Sequence, residues 1–125
     1  NLRVFADEAT KRGVTLVFIT STVTVESNPA VNFRRAFPEA MISVAEEKGV
    51  VCLDLNAYML EAIRAIEANE GYEWLVNTYF SQKANAEGER VPDTTHHREA
   101  GSRWVTAMIV ELLRNSDSSL REYLK

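Results

Sequence analysis

The two histidines of the chain are neighbours in residues 91–102, VPDTTHHREAGS, and Asp93 stands three residues before His96. An imidazole takes a proton from a hydroxyl group efficiently when a carboxylate holds its other ring nitrogen in the correct tautomer. On a turn that leads into a helix, this spacing can place the carboxylate and the ring side by side. The pattern therefore favours His96 as a general base that Asp93 orients.

The same residues allow two other interpretations. Asp93 or Thr94 is a suitable N-cap for the helix that follows, and His96 would then be a solvated polar side chain. Asp93, His96 and His97 are also potential metal ligands. Adjacent histidines point in different directions, however, and zinc takes three protein ligands in catalytic sites and four in structural ones. The spacing alone does not decide between a general base, a helix cap and a metal site. For a metal site, few suitable ligands are available.

The composition narrows the class of protein. A chain of 125 residues suits a single domain. Its formal net charge of −4 argues against binding of nucleic acid, which needs a basic face for the phosphates. No apolar run approaches the roughly 20 residues of a membrane-spanning helix. Cys52 is the only cysteine, so an internal disulfide is excluded and the redox compartment cannot be read from cysteine usage.

Two short apolar runs predict strands that are buried on both faces. Residues 14–20 (VTLVFIT) and 50–53 (VVCL) are rich in β-branched side chains and too short for capped helices. Segments with apolar residues at helical spacing surround them. The predicted helices are a first one ending at 11–13, then 37–48, 57–68, a short 71–80 and 98–114; loops are predicted at 21–36 and 81–92, and a polar tail at 116–125.

Alternating helices and strands predict an α/β fold in which crossover helices join parallel strands. Two strands are too few for a parallel sheet, whose faces and edges need cover. The first residue is Asn rather than Met, and no signal-peptide pattern follows it. We therefore expect residues 1–125 to form the edge of a larger sheet, completed by a missing N-terminal segment or by a second chain. Ligands of open α/β sheets bind beyond the carboxyl ends of the strands, where the loop with His96 is predicted to lie.

Residues 93–102 (DTTHHREAGS) resemble the last sequence block of the SGNH (GDSL-type) esterase superfamily, and most closely its rhamnogalacturonan acetylesterase-like branch. That block reads Asp, any residue, Thr-His, an aromatic, three residues, then Gly-Ala and a helix. The two departures from it concern packing positions rather than the Asp–His pair. The matching residues are Asp93, Thr95, His96 and Gly101, whereas His97 replaces the aromatic residue and Ser102 the alanine.

Two further segments are similar to the same family in the same order. They are FADEATKRGVTLVFITSTVT, which resembles its helix and fourth strand, and FPEAMISVAEEKGVVCLDLNAYM, which resembles the next helix, the fifth strand and an Asp-Leu-Asn turn. The resemblance implies that residues 1–125 are the C-terminal part of a flavodoxin-like three-layer α/β/α sandwich. It implies an ester hydrolase acting on acetyl groups of a pectic polysaccharide, with His96 as base and Asp93 as its partner. It also implies no metal or cofactor, and it favours a secreted or periplasmic protein.

The nucleophile of that family is not found in the sequence. Its serine lies in a Gly-Asp-Ser block and its oxyanion hole in a Gly-x-Asn-Asp block, and none of the five glycines here begins such a block. Ser21 follows a strand but lacks the Gly-x-Ser-x-Gly elbow, and Ser102 falls within the last predicted helix. We therefore expect the serine to lie outside this sequence. The competing prediction is a non-catalytic α/β module that binds a partner or a carbohydrate.

Two groups of residues are candidates for substrate contacts. Arg34 and Arg35 lie in the predicted loop 21–36. A guanidinium could bind the carboxylate of galacturonate in bidentate fashion, although a solvated basic pair is the alternative. Aromatic side chains could stack on a sugar, although aromatic residues at helical spacing are more often part of a core. The aromatic candidates are Tyr72, Trp74 and Tyr79.

Overall fold

The computed structural model describes residues 1–25 and 35–124, and these residues form a mixed α/β structure. They contain five α-helices, a two-stranded parallel sheet and a two-stranded antiparallel hairpin. None of these helices is long and apolar enough to cross a membrane. The elements are α1 (Leu2–Lys11), β1 (Val17–Ile19), α2 (Ala36–Lys48), β2 (Val51–Leu53), α3 (Leu55–Glu70), α4 (Tyr72–Tyr79), β3 (Phe80–Ala84), β4 (Arg90–His97), α5 (Glu99–Arg114) and a short 3-10 helix (Ser119–Tyr123).

The two strands predicted from the apolar runs are present and pair in parallel, as the helix–strand alternation indicated. Val17 lies opposite Val51, and Ile19 lies opposite Leu53. Both strands are shorter than the apolar runs that contain them. The helices α1 and α2 pack on this sheet through a small core. The buried residues of that core are Ala6, Phe18, Val44 and Ala45.

The prediction of a loop over residues 81–92 is wrong, because the hairpin of β3 and β4 occupies this segment. The hairpin has no apolar alternation, and Phe80 is the one fully buried residue of its two strands. Its turn is instead specified by Asn85, whose side-chain oxygen accepts the N–H groups of Glu87 and Glu89 at 3.1 and 2.8 Å. Gly88 completes the turn at φ 82°, a conformation that glycine adopts without a steric penalty.

A larger core joins α3, α4 and α5 to the segment that follows β1. Phe80, Met59 and Ile63 are fully buried there, and burial of each such side chain contributes about 1.5–3 kcal/mol. The backbone N–H of Val25 also donates to the carbonyl of Thr94 at 3.1 Å. The chain that follows the carboxyl end of β1 therefore reaches β4 near His96 by residue 25.

Candidate active site

His96 lies on a bulge within β4 rather than on a turn into the last helix, which corrects the sequence-based expectation. Phe80 is paired with His97, whereas the next residue of β3, Ser81, is paired with Asp93. Residues 94–96 therefore have no counterpart on β3. A bulge of this kind bends the strand and redirects the side chains it carries. Here it turns the His96 side chain out to solvent, where 76% of its surface is exposed.

Asp93 holds the bulge and the histidine ring with one carboxylate. Its Oδ1 atom accepts the backbone N–H groups of Thr95 and His96 at 3.0 and 3.2 Å. Its Oδ2 atom lies 2.7 Å from Nδ1 of His96. Asp93 does not cap α5, because the N-cap residue of α5 is Arg98 and no side chain caps that end. The carboxylate instead caps the bulge, as aspartates do in tight turns.

The electrostatics of the pair favour a defined tautomer of His96. The hydrogen bond to His96, followed by the N–H of Thr95, lowers the pKa of Asp93 from 3.8 to about 2. Asp93 is therefore ionised at neutral pH and can only accept hydrogen bonds. The shared hydrogen is then carried by Nδ1 of His96, and Nε2 of the neutral ring has a free lone pair. This is the form of an imidazole that accepts a proton from a hydroxyl group.

His97 is a packing residue on the other side of the strand. Its ring lies 4.9 Å from that of Phe80, centroid to centroid, at 37°. Its Nε2 atom is buried, and no atom of the described residues forms a hydrogen bond with it. Burial is the main cause that lowers its pKa, with a smaller contribution from His96, so the neutral ring is favoured.

The described residues do not form a three-ligand metal site. Within residues 1–25 and 35–124, no group of three or more His, Cys, Asp or Glu side chains is placed to hold a metal ion. His96 and His97 are separated by the strand, one exposed and the other packed on Phe80.

The described residues provide no nucleophile in contact with His96. Ser21 and Ser102 are both exposed, and neither forms a hydrogen bond with the histidine in this part of the chain. Cys52 lies in β2, and burial raises the pKa of its thiol, which disfavours the reactive thiolate. The register places one further serine across from Asp93, namely Ser81. Sequence patterns did not single out Ser81, because its position depends on the pairing of β3 with β4.

Arg35 forms part of a polar cluster at the carboxyl ends of β1 and β2. Its guanidinium binds Asp54 in bidentate fashion, with Nη1–Oδ1 at 2.8 Å and Nη2–Oδ2 at 2.6 Å. Asp54 also accepts the hydroxyl of Thr20 at 3.1 Å and caps α3 through the N–H of Ala57 at 3.2 Å. The carboxylate-binding face of Arg35 is therefore occupied by a carboxylate of the protein itself. Arg34 lies outside the described residues.

Two of the aromatic candidates, Trp74 and Tyr79, form a cluster with Trp104. Tyr79 stacks on Trp104 with a centroid distance of 4.5 Å and an angle of 20°, and Trp74 meets Tyr79 edge-on at 5.9 Å. Trp74 is 44% exposed, whereas Tyr72 is half-buried. Of the three predicted sugar-stacking residues, Trp74 presents the most ring surface to solvent.

Comparison with known proteins leaves the family of the chain unassigned. No protein-family model, no curated protein and no solved structure matches it. The arrangement of His96, Asp93 and their neighbours is therefore the basis on which a function can be proposed.

Proposed function

We propose that this chain carries the histidine–aspartate part of a serine-dependent ester hydrolase of the SGNH type. The observation that supports it is the 2.7 Å contact between Nδ1 of His96 and Oδ2 of Asp93. The second oxygen of the same carboxylate is bound to the backbone of the bulge, so the carboxylate and the ring are held as a unit. Nε2 of His96 is left facing solvent, where a nucleophile and an ester can reach it.

The chemistry begins when a serine hydroxyl attacks the carbonyl carbon of the ester. Its proton passes to Nε2 of His96, and ionised Asp93 stabilises the resulting imidazolium without taking the proton itself. The ester C–O bond then breaks, and His96 gives the proton to the departing sugar oxygen. A water molecule attacks the acyl-serine in the same way, with its proton taken by His96, and the carboxylic acid and free serine are released.

The attacking serine is proposed to come from a polypeptide segment other than residues 1–125. That segment, either earlier in the same protein or on a second chain, would also add strands beside β1 and β2. Each of these strands has one edge without a strand neighbour in the described residues. The exposed apolar side chains of Val4, Phe5 and Ile19, the last on β1 itself, also favour such cover. Residues 1–125 would then be the C-terminal part of a flavodoxin-like three-layer α/β/α sandwich.

An acetyl ester of a pectic polysaccharide is the proposed substrate, on the resemblance of residues 93–102 to acetylesterases. The half-exposed ring of Trp74 offers a surface on which a sugar can stack. Arg34 and Arg35 are the proposed contacts for a galacturonate carboxylate. For Arg35, such a contact requires exchange of the Asp54 carboxylate for that of the sugar.

The proposal is tested by acetate release from acetylated pectin and from p-nitrophenyl acetate, using the intact protein that contains this sequence. His96→Ala should lower kcat/KM by at least about a thousandfold, and Asp93→Asn by a similar factor, by analogy with serine triads. The matched control is Ser102→Ala, an exposed residue that does not bond His96. Undiminished hydrolysis by His96→Ala would show that His96 is not the base.

One observation favours a second function, a carbohydrate-binding or protein-interaction module without catalysis. Throughout the described residues, no hydroxyl or thiol forms a hydrogen bond with Nε2 of His96. The hydrolase requires a further polypeptide segment that carries the serine, whereas the module does not. The denatured and native masses of the purified protein therefore distinguish the two functions. A longer chain or a second polypeptide would supply the serine and support the hydrolase. A sole species of 14.1 kDa that binds acetylated pectin without turnover would support the module.

A further inference from the structure

A groove runs between α3 and α5. One stripe of α3 lines it, at positions 58, 61, 62 and 65, and one stripe of α5, at positions 104, 107, 108 and 111. Both sets follow the i, i+3, i+4, i+7 spacing of a single helical face. The cavity between them measures about 600 Å³. Each stripe rises about 10 Å along its helix, the length of two helical turns.

Most of the surface of this α3–α5 groove is apolar. Ala62, Ala65 and Ala107 are small, so a third backbone can approach the two helices closely. Met108 closes the floor with an adaptable thioether side chain, a residue common in grooves that accept helices. Trp104 forms one wall, and its stacking on Tyr79 at 4.5 Å fixes the ring in place.

The charges of the groove are acidic on both helices. Glu61 lines it from α3 and Glu111 from α5. Glu111 is engaged with Arg114 at 3.2 Å and with Asn115 at 2.8 Å. The exposed carboxylate of Glu61 has neither an ion pair nor a hydrogen bond within residues 1–25 and 35–124. A partner with an apolar face and a flanking cation would therefore be complementary to both the apolar surface and the Glu61 carboxylate of the groove.

We propose that the α3–α5 groove binds an amphipathic helix whose apolar face is flanked by lysine or arginine. Two helical stripes that contain small residues match the ridges of a third helix, and aromatic and Met side chains supply the apolar contact. Glu61 pairs with a basic residue at the margin of that helix. The net charge of −4 favours the approach of such a cationic partner. This inference is independent of the proposed hydrolase activity.

The experiment titrates the protein with an amphipathic Leu/Lys peptide of about 18 residues, long enough to form a helix. Backbone amide resonances report the site, and a Leu/Glu peptide of the same pattern is the charge control. We expect shifts on the facing stripes of α3 and α5 with the Leu/Lys peptide, and none with the Leu/Glu peptide. Glu61→Gln should weaken binding about threefold, the effect of one exposed ion pair. The matched variant Glu70→Gln, at an exposed residue of α3 outside the groove, should bind as the parent does.

Obstruction of the groove gives a second test. Ala107→Arg places a bulky cation on an exposed position of the groove, and Ala65→Arg does the same from the facing helix. Each should weaken binding of the Leu/Lys peptide at least tenfold while circular dichroism shows a retained fold. Unchanged binding by a folded arginine variant, or equal binding of the Leu/Glu peptide, would overturn the proposal. Saturation of the groove by phenethylammonium with no response to the peptide would also overturn it, in favour of a small cationic ligand.

Discussion

Gly101 lies directly against the main chain of Tyr79. A Cβ atom at position 101 would overlap the carbonyl oxygen of Tyr79 and would lie 3.1 Å from the Cβ of His97. The same carbonyl accepts the N–H of Arg98 at 3.1 Å. The first turn of α5, the end of α4 and the last residue of β4 thus meet at one point, next to His96.

Gly101→Ala should destabilise the protein because the first turn of α5 must move away from Tyr79 to admit a methyl group. We expect a loss of about 1–3 kcal/mol in the free energy of unfolding, the usual effect of overpacking. Urea denaturation followed by circular dichroism measures it. The control is Ser102→Ala on the exposed side of the same turn, which should change the value by less than about 0.5 kcal/mol. Equal stability of both variants would contradict the close contact.

The hydrogen bonds of Asp93 predict a titration at low pH. Because the folded pKa of about 2 lies below the ordinary 3.8, ionised Asp93 stabilises the bulge fully above about pH 4. This contribution is lost as the pH falls from 3.8 towards 2. The amide resonances of Thr95 and His96, which donate to Asp93, should therefore titrate together with a midpoint near 2.

Asp93→Asn is the control for this titration, because an amide oxygen can accept the same backbone hydrogen bonds but does not ionise. Both amide resonances should then be insensitive to pH over that range. A midpoint at or above 3.8 in the parent protein would contradict the arrangement of the carboxylate described here.

The parallel strands and most helices were predictable because local apolar patterns mark them. The hairpin was not, since its strands are polar and its turn depends on side-chain bonds of Asn85. The spacing of Asp93 and His96 suggested a carboxylate beside a ring, and these atoms lie 2.7 Å apart. Their place on a bulge could not be predicted, because it follows from the register of β4 against β3.

Contacts between distant segments account for the other differences. Arg35 and Asp54 are 19 residues apart in the chain, and no local pattern indicates that they pair. Arg35 therefore looked like an available loop cation, whereas it is held at the start of α2. Gly101 was noticed in the sequence only through a resemblance to an esterase pattern. The structural reason for a glycine there is its contact with the main chain of Tyr79, which lies 22 residues earlier and on another helix.

The half-buried ring of His97 predicts a loss of stability in mild acid. Burial lowers the pKa of His97 below its ordinary 6.5, so the folded state favours the neutral ring. The contribution of the neutral ring to the free energy of unfolding is complete above about pH 6.5. It is lost as the pH falls, because the unfolded chain then binds a proton at His97 more readily than the folded protein does. Urea unfolding at about pH 7.5 and about pH 5.5 should show the lower stability at the lower pH.

His97→Phe should remove most of this dependence, because phenylalanine keeps the contact with Phe80 and cannot be protonated. His96→Gln serves as the control, since it removes only the smaller electrostatic cause and leaves the burial of His97 unchanged. A pH dependence that persists in His97→Phe would place its origin elsewhere in the protein.

Asp54 stabilises the carboxyl ends of β1 and β2 in two separable ways. It caps α3 through the N–H of Ala57, and it binds Arg35 with both oxygens. Asp54→Ala removes both, together with the hydrogen bond from Thr20, and we expect a loss of about 2–3 kcal/mol in the free energy of unfolding. Asp54→Ser keeps a capping oxygen and should recover about 1 kcal/mol of that loss.

The matched control for Asp54 is Asp7, which pairs with Lys48 at 2.8 Å on the surface. Asp7 is 62% exposed whereas Asp54 is 30% exposed, so water screens the Asp7 pair more strongly. Asp7→Ala should therefore cost less than about 1 kcal/mol in the same urea denaturation. Equal losses for Asp7→Ala and Asp54→Ala would mean that the cap and the paired guanidinium add nothing beyond a surface ion pair. A larger loss for Asp54→Ala that Asp54→Ser does not reduce would assign the difference to the bonds with Arg35 and Thr20 rather than to the cap.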